Sequence, residues 1–372
     1  MKRVLICLYN FLPGTKLGGP LTTAINICNA FSKESDIHLV CVNHDYRSQN
    51  LYDVELFNWI AFDNYHVMYV DDSFYKKRNL FNLFDKFDAV YSFGPYTRAS
   101  FWLSIYSKKH INCECYIAPT GCFLPNALKV KGFKKILFIR FVKLFKLYKD
   151  VTLSLTDDFE EEEAIRLFGK GIKTIIARDI VFFRNVALSN IACSKPLSIV
   201  FISRICRTKN LMGALEILNE IDRSLYSFTV FGTLEDNEYL SECQNFAKAK
   251  SIPMCYKGEI EFGTSVRVFS KYDLFLFPTI TENFGHVIFE SLNAGCIPLV
   301  SNNTPWRNYK KQISSLSLQN KEEFVECIKQ ICLLDEKGLL DLKNKCQDFA
   351  KQYYNTELKC SGYRKVFCYE KN

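Results

Sequence analysis

Short apolar runs alternate with amphipathic stretches along most of the chain, and that alternation predicts an α/β protein. Strands are expected at Val4–Leu8, Ile37–Val42, Val67–Val70, Ala89–Phe93, Cys115–Ala118, Val151–Leu155 and Lys173–Ala177. Between the first two, Leu21, Ala24, Ile25 and Cys28 recur at helical spacing within Leu21–Phe31. The stretch Arg184–Lys195 loses this patterning and reads as a linker. A second series then runs through Leu197–Ser203, Phe228–Phe231, Met254–Lys257, Leu274–Phe277 and Ile297–Ser301. Beyond Glu322, the positions Phe324, Ile328, Ile331 and Cys332 mark a helix, and the tail to Asn372 is expected to be helical too. The simplest architecture is two Rossmann-like, doubly wound domains facing one another across a cleft. They would span residues 1–185 and 196–350, with a helical tail over 351–372 packing back toward the first.

At 372 residues the chain suits two such domains, and 48% hydrophobic content is ample for their cores. Sixteen cysteines are scattered through apolar stretches with no Cys-x-x-Cys, the usage of reduced core thiols rather than a disulfide framework. No segment reaches the roughly 18–20 apolar residues that cross a bilayer. Met-Lys-Arg and Val4–Leu8 look superficially like a secretion signal, but the run is short and leads into Asn10, Pro13 and glycines, so it reads as a first strand. A cytoplasmic protein is expected.

The richest chemistry lies in Glu282-Asn-Phe-Gly-His-Val-Ile-Phe-Glu290, two carboxylates with seven residues between them. The run Tyr272–Pro278 before it suits a buried parallel strand. After Gly285 the spacing turns helical until Gly295, and a helix N-terminus then faces a strand's carboxyl end, where open α/β sheets bind phosphorylated ligands. Carboxylates accept hydrogen bonds and repel phosphate, so two acids beside an anion site point to sugar or ribose hydroxyls. Arg204, Arg207 and Lys209 follow another strand. Such a cluster either neutralises a diphosphate or is a solvated basic turn. Gly258 and Glu259 close a third strand, where backbone groups can read a nucleobase edge, and Gly18-Gly19 opens the first helix, where a ligand can approach the backbone closely. The Gly-x-Gly-x-x-Gly fingerprint is not met, which disfavours a nicotinamide oxidoreductase.

From Lys129 to Lys149 there are eight Lys or Arg residues and no acid. A helical wheel gathers Leu137, Phe138, Phe141, Leu144, Phe145 and Tyr148 on one face and Lys135, Arg140, Lys143 and Lys146 on the other. Two readings stay open, a helix lying in an anionic membrane surface and a core-packed helix with a solvated charged face. Nucleic acid is not expected, because no aromatic platform accompanies the charge.

Taken together, these pieces resemble the retaining glycosyltransferases of family 4, which have the two-domain GT-B fold. Thr304-Pro305-Trp306 resembles a subgroup that builds bacterial surface polysaccharides. The resemblance implies transfer of a sugar from a UDP- or GDP-linked donor to a saccharide or polyprenyl-linked acceptor, with no cofactor. Arg204 and Lys209 would hold the diphosphate and Glu290 the ribose hydroxyls. Glu282 would face the transferred sugar, while Asn283 and the amides near Phe284, Gly285 and His286 would approach phosphate and sugar. Gly18 and Gly19 would close the reaction centre from the other domain, with Glu282 and Gly19 as the catalytic positions. Many relatives carry glycine where Ser203 and Asn210 stand, and a histidine in the loop matching Ile117–Cys122, which has none here. A front-face displacement, in which the departing phosphate accepts the acceptor's proton, dispenses with that base.

No Asp-x-Asp occurs, and Asp71-Asp72 and Asp157-Asp158 lack companion ligands, so no metal site is expected. Two alternatives remain: a catalytically silent saccharide-binding or scaffold protein, and an epimerase or phosphorylase of the same fold.

Overall fold

The computed structural model describes residues 1–46, 48–129, 132–186, 196–309 and 313–369, with backbone alone for 358–360. Most of the stretch read as a linker, residues 187–195, lies outside the described residues, as do residues 130 and 131 of the basic stretch. The chain divides into two compact units, Met1–Val181 with Glu357–Asn372, and Phe182–Thr356.

The first unit is built on strands β1 (Lys2–Asn10), β2 (Ser35–Val42), β3 (Trp59–Phe62), β4 (Tyr65–Val70), β5 (Ala89–Phe93), β6 (Glu114–Ala118), β7 (Thr152–Leu155) and β8 (Lys173–Ile176). Its helices are α1 (Gly19–Phe31), α2 (Lys77–Phe84), α3 (Arg98–Tyr106), α4 (Pro125–Lys129), α5 (Gly132–Leu144) and α6 (Asp158–Phe168). The eight strands lie in the order β3-β4-β2-β1-β5-β6-β7-β8, all parallel except the β3/β4 pair. The core strands β1, β2 and β5 read as near-continuous apolar runs because helices cover both faces of a parallel sheet. Sequence patterning misses β3. It pairs only with β4, antiparallel, and stays half-exposed, so it carries neither a buried run nor clean alternation.

The second unit carries β9 (Leu197–Ile202), β10 (Tyr226–Phe231), β11 (Met254–Tyr256), β12 (Leu274–Phe277), β13 (Ile297–Ser301) and β14 (Ser314–Leu316). Its helices are α7 (Leu211–Leu218), α8 (Asn237–Ala249), α9 (Ser265–Phe269), α10 (His286–Asn293), α11 (Lys321–Leu333) and most of α12 (Glu336–Cys360). All six strands are parallel, in the order β11-β10-β9-β12-β13-β14. This is the Rossmann arrangement, and strand order reverses between β9 and β12. The final helix α13 (Tyr363–Phe367) belongs to the first unit, where Phe367 stacks on Phe31 at 5.6 Å and Tyr363 is buried.

Two buried carboxylates hold loops in place. In the second unit Asp273 accepts from the Ser198 amide and hydroxyl at 2.9 and 2.6 Å and meets Lys343 of α12 at 2.5 Å, with both charged side chains fully buried. In the first, Glu160 of α6 accepts from the Gly121 amide at 2.6 Å and from the Thr156 amide and hydroxyl at 2.9 Å each.

Burial pushes Glu160 up to about 6, while the hydrogen bonds from Thr156 and Gly121 pull the other way. With its folded pKa raised, the native state holds this proton longer than the unfolded chain. Its stabilising contribution is therefore complete below the ordinary carboxyl range and fades as pH rises through 6. Against Glu160→Gln, wild-type stability should fall by about 2 kcal/mol between pH 4.5 and pH 7, which urea unfolding at both pH values would register.

Candidate functional site

Open α/β sheets bind ligands where strand order reverses, so in the second unit the loops after β9 and β12 are the place to look. The chain stitches these two loops together. Thr208 O accepts from the Ile280 amide at 2.9 Å and from the Thr279 hydroxyl at 3.1 Å, and Asn210 Nδ2 donates to Pro278 O at 2.8 Å. Asn210 stands where the resemblance leads one to expect glycine, and the backbone explains both choices. Its φ of 61° is left-handed, a conformation that asparagine tolerates best after glycine. Its side chain also caps α7, accepting from the Gly213 amide at 3.1 Å.

With these loops joined, Lys209 Nζ lies 2.6 Å from Glu282 Oε2, the two side chains only 12% and 15% exposed. The Glu282 amide donates to Asn303 O at 3.2 Å, and the Asn283 amide reaches the Glu282 carboxylate at 3.3 Å. Gly285 has a φ of 82°, and a Cβ there would fall 2.9 Å from Glu282 Cγ, so the turn needs glycine. Helix α10 starts immediately after it with no side-chain cap. Its first amides are the orphan donors that suit an anion. Glu290 lies one turn beyond His286 on α10, half-buried, and its carboxylate makes no hydrogen bond or ion pair among the described residues. His286 packs against Phe284 at 5.0 Å. Trp306, buried, donates from Nε1 to Phe284 O at 2.6 Å and rests on Tyr353 at 5.1 Å, so the Thr304–Trp306 motif buttresses the glutamate loop.

The three cations after β9 separate. Arg204 pairs with Glu235 at 2.6 Å, 46% exposed. Arg207 turns to α8, meeting Glu242 at 3.0 and 2.6 Å over the Tyr239 ring. Only Lys209 reaches Glu282. Gly258, at φ 77°, accepts from the Gly232 amide at 2.8 Å, with Glu259 exposed beside it. Sequence reading missed Gly232. A Cβ there would lie 1.6 Å from Ser203 O, so only glycine lets the ends of β9 and β10 approach. Its signal was available, a glycine directly after the apolar run Phe228–Phe231.

In the first unit Gly18, at φ 68°, and Gly19 open α1, and a Cβ on either would meet nothing within 4 Å. Asp45 holds the loop before them, accepting from the Thr15 and Lys16 amides at 3.2 Å each and from Asn10 Nδ2 at 2.8 Å. Where β1 and β5 diverge, at that sheet's own reversal point, lies a cavity of about 320 Å³. Tyr9, Asp72, Tyr75, Phe93, Tyr96 and Arg98 line it. The Tyr75 hydroxyl is buried without a hydrogen-bond partner among the described residues. Of these residues only Asp72 was singled out in the sequence, within Asp71-Asp72, because they come from three separate strand ends and share no local motif.

The amphipathic helix is arranged differently from its helical wheel. Phe138 and Tyr148 pack inward, Phe138 against Tyr96 at 5.0 Å. Lys135 also turns in, donating to Ala127 O at 2.6 Å beside the Tyr96 ring, so it is not an outward cation. Phe133, Ile136, Leu137, Phe141 and Leu144 are exposed instead, together with Arg140, Lys143 and Lys146. Only Ile139 and Val142 of α5 are buried.

Comparison with known proteins gives the class of fold first. The chain is similar to HepE of Anabaena in complex with UDP and glucose, at 10% identity and TM-score 0.70 over 95% of this chain and 96% of that one. It is similar to the trehalose-6-phosphate synthase OtsA, at 10% identity and TM-score 0.68 over 96% and 97%. It also resembles the N-terminal domain of Candida albicans trehalose-6-phosphate phosphatase, at 9% identity and TM-score 0.65 over 97% and 96%. At such identities the likeness is one of fold, and the fold is GT-B, two Rossmann-like α/β domains. More particularly, residues 190–353, most of the second unit, match the family described as glycosyl transferases group 1. No curated protein matches the chain by sequence. Among the described residues no helix is long and apolar enough to cross a membrane.

Proposed function

We propose that this protein is a retaining glycosyltransferase of family 4. It would move a sugar from a nucleoside-diphosphate donor to a saccharide acceptor on a lipid carrier, in bacterial surface polysaccharide synthesis. The observation that carries the reading is the Lys209–Glu282 contact at the reversal point of the second sheet, beside the uncapped α10 and Glu290, which has no partner among the described residues. In the absence of donor, Glu282 neutralises Lys209. When a diphosphate arrives, Lys209 and Arg204 take its charge, the α10 amides complete its cradle, and Glu282 is released to hold sugar hydroxyls. Glu290 accepts from the ribose, and the backbone around Gly258 and Glu259 reads the base. HepE is described with UDP and glucose, which supports a UDP-linked donor here.

The bond from the anomeric carbon to the departing phosphate oxygen breaks as the acceptor oxygen bonds to the same face. The acceptor's proton passes to that phosphate oxygen. Catalysis then rests on positioning and on leaving-group charge, with neither metal nor protein base at the reaction centre. Gly18 and Gly19 bring a bare backbone to the substrates, and the aromatic, hydroxyl-lined cavity of the first unit takes the acceptor saccharide.

Purified protein incubated with UDP- and GDP-sugars in the presence of chelator should release one nucleoside diphosphate selectively. Thermal stability unmoved by UDP, GDP, ADP or their sugar conjugates would favour the silent scaffold instead. Glu290→Ala should weaken nucleotide binding by about tenfold, in keeping with a lost charged hydrogen bond.

The reading also places the protein peripherally on the cytoplasmic face of a membrane. Its support is the exposed apolar face of α5, ringed by Arg140, Lys143 and Lys146, complementary to anionic lipid. Reversing Lys143 and Lys146 to glutamate should release the protein from anionic vesicles by more than roughly tenfold, at about 1 kcal/mol per charge. Unchanged sedimentation with vesicles would remove the membrane from the picture.

A further inference from the structure

In the first unit three metal-ligating side chains meet in the first halves of β2 and β4. Strands β2 and β4 are parallel neighbours, and His38 is the direct register partner of His66. Asp36 lies two residues before His38 on the same face of β2. One ligand atom from each of the three comes within 4.8 Å of the others. The two imidazole rings stack at 4.8 Å and 17°, with His38 walled by Trp59 at 4.6 Å and Phe87 at 5.2 Å. Nδ1 of His66 is buried without a hydrogen-bond partner among the described residues, while Nδ1 of His38 lies 3.3 Å from Asp36 Oδ1.

A buried ring nitrogen left unsatisfied beside an Asp–His pair is unusual, since core histidines normally exchange hydrogen bonds with fixed partners. An imidazole nitrogen with an available lone pair, next to a carboxylate, is what a metal needs. We propose that Asp36, His38 and His66 bind one divalent transition-metal ion, for which two imidazoles and one carboxylate make Zn²⁺ the best match.

Ligands around a tetrahedral zinc stand about 3.3 Å apart for Zn–N bonds of about 2.0 Å, so closing the triad requires side-chain rotation that tilts the two stacked rings toward the ion. Asp36 has an oxygen for each task. Its Oδ1 faces His38 Nδ1 at 3.3 Å, and its Oδ2 lies 3.6 Å from Arg3 Nε, the second contact that orients a ligating carboxylate. Asp36 remains 37% exposed, which leaves room for water as fourth ligand. The ion would tie β2 to β4 and, through Trp59, would steady the edge strand β3. It stands apart in sequence from every residue proposed for sugar transfer and is independent of that reading. The sequence hid it, because 27 residues separate His38 from His66.

Chelator-treated protein should bind one equivalent of Zn²⁺ in equilibrium dialysis, with Mg²⁺ failing to compete. Co²⁺ should give the intense visible bands of a tetrahedral site. Zn²⁺ should raise the thermal midpoint, and His66→Phe, which keeps the ring stack, should abolish both that rise and the Co²⁺ bands. Asp36→Asn should weaken binding by more than roughly tenfold. Binding of less than a fraction of an equivalent by the wild type, or an unchanged Zn²⁺ isotherm in folded His66→Phe, overturns the proposal.

Discussion

Replacing Lys209 with alanine should lower kcat/KM by about 10³, the largest catalytic loss expected from any single change in this protein. Removal of one preorganised donor from a developing oxyanion costs about 10²–10³ in kcat, roughly 3–4 kcal/mol. Lys209 adds a full charge at a site of low exposure, 2.6 Å from the acid that shares it. Glu282→Ala should depress kcat more than donor affinity, since its hydroxyl contacts tighten as the ring flattens. The double variant separates a working pair from a structural one. If the two act on one transition state, its loss should fall well short of the product of the single losses. Nucleoside diphosphate release under saturating donor provides the measurement. Lys209→Ala with wild-type kcat/KM would end the claim that this pair handles the leaving group.

The largest stability effect should come from Lys343→Ala. Lys343 and Asp273 are both fully buried, 2.5 Å apart, and Asp273 also receives two bonds from Ser198. Deleting the lysine takes away the buried carboxylate's partner at 2.5 Å, and breaking such a pair costs about 3–5 kcal/mol. In a unit of this size that lowers the melting temperature by roughly 10 °C. Asp273→Asn with Lys343→Met, which removes both charges together, should recover most of the loss, because desolvation offsets much of a buried pair's attraction. Denaturant unfolding of the three variants would register this. A near-neutral Lys343→Ala would mean that water reaches the pair.

The apolar runs of β5, β12 and β13 were legible to the residue, because strands covered on both faces must be apolar throughout. The short strands β3 and β14 were not, since an edge needs only half that burial. Glu282, Gly285 and Glu290 could be read from the chain because a strand, a turn and a helix start are contiguous. Lys209 was found among three cations, but nothing in the spacing set it apart from Arg207.

Local sequence by itself determined the alternation of strands and helices, the glycine turn before α10 and the presence of two acids beside it. These follow from periodicity and backbone sterics within a dozen residues. Tertiary structure alone decided which cation meets Glu282, why asparagine serves at position 210, which way Lys135 points and that His38 stands against His66. Each depends on which strands become neighbours. Strand order is settled by burying whole faces at once, so it leaves no mark at the spacing of any single motif.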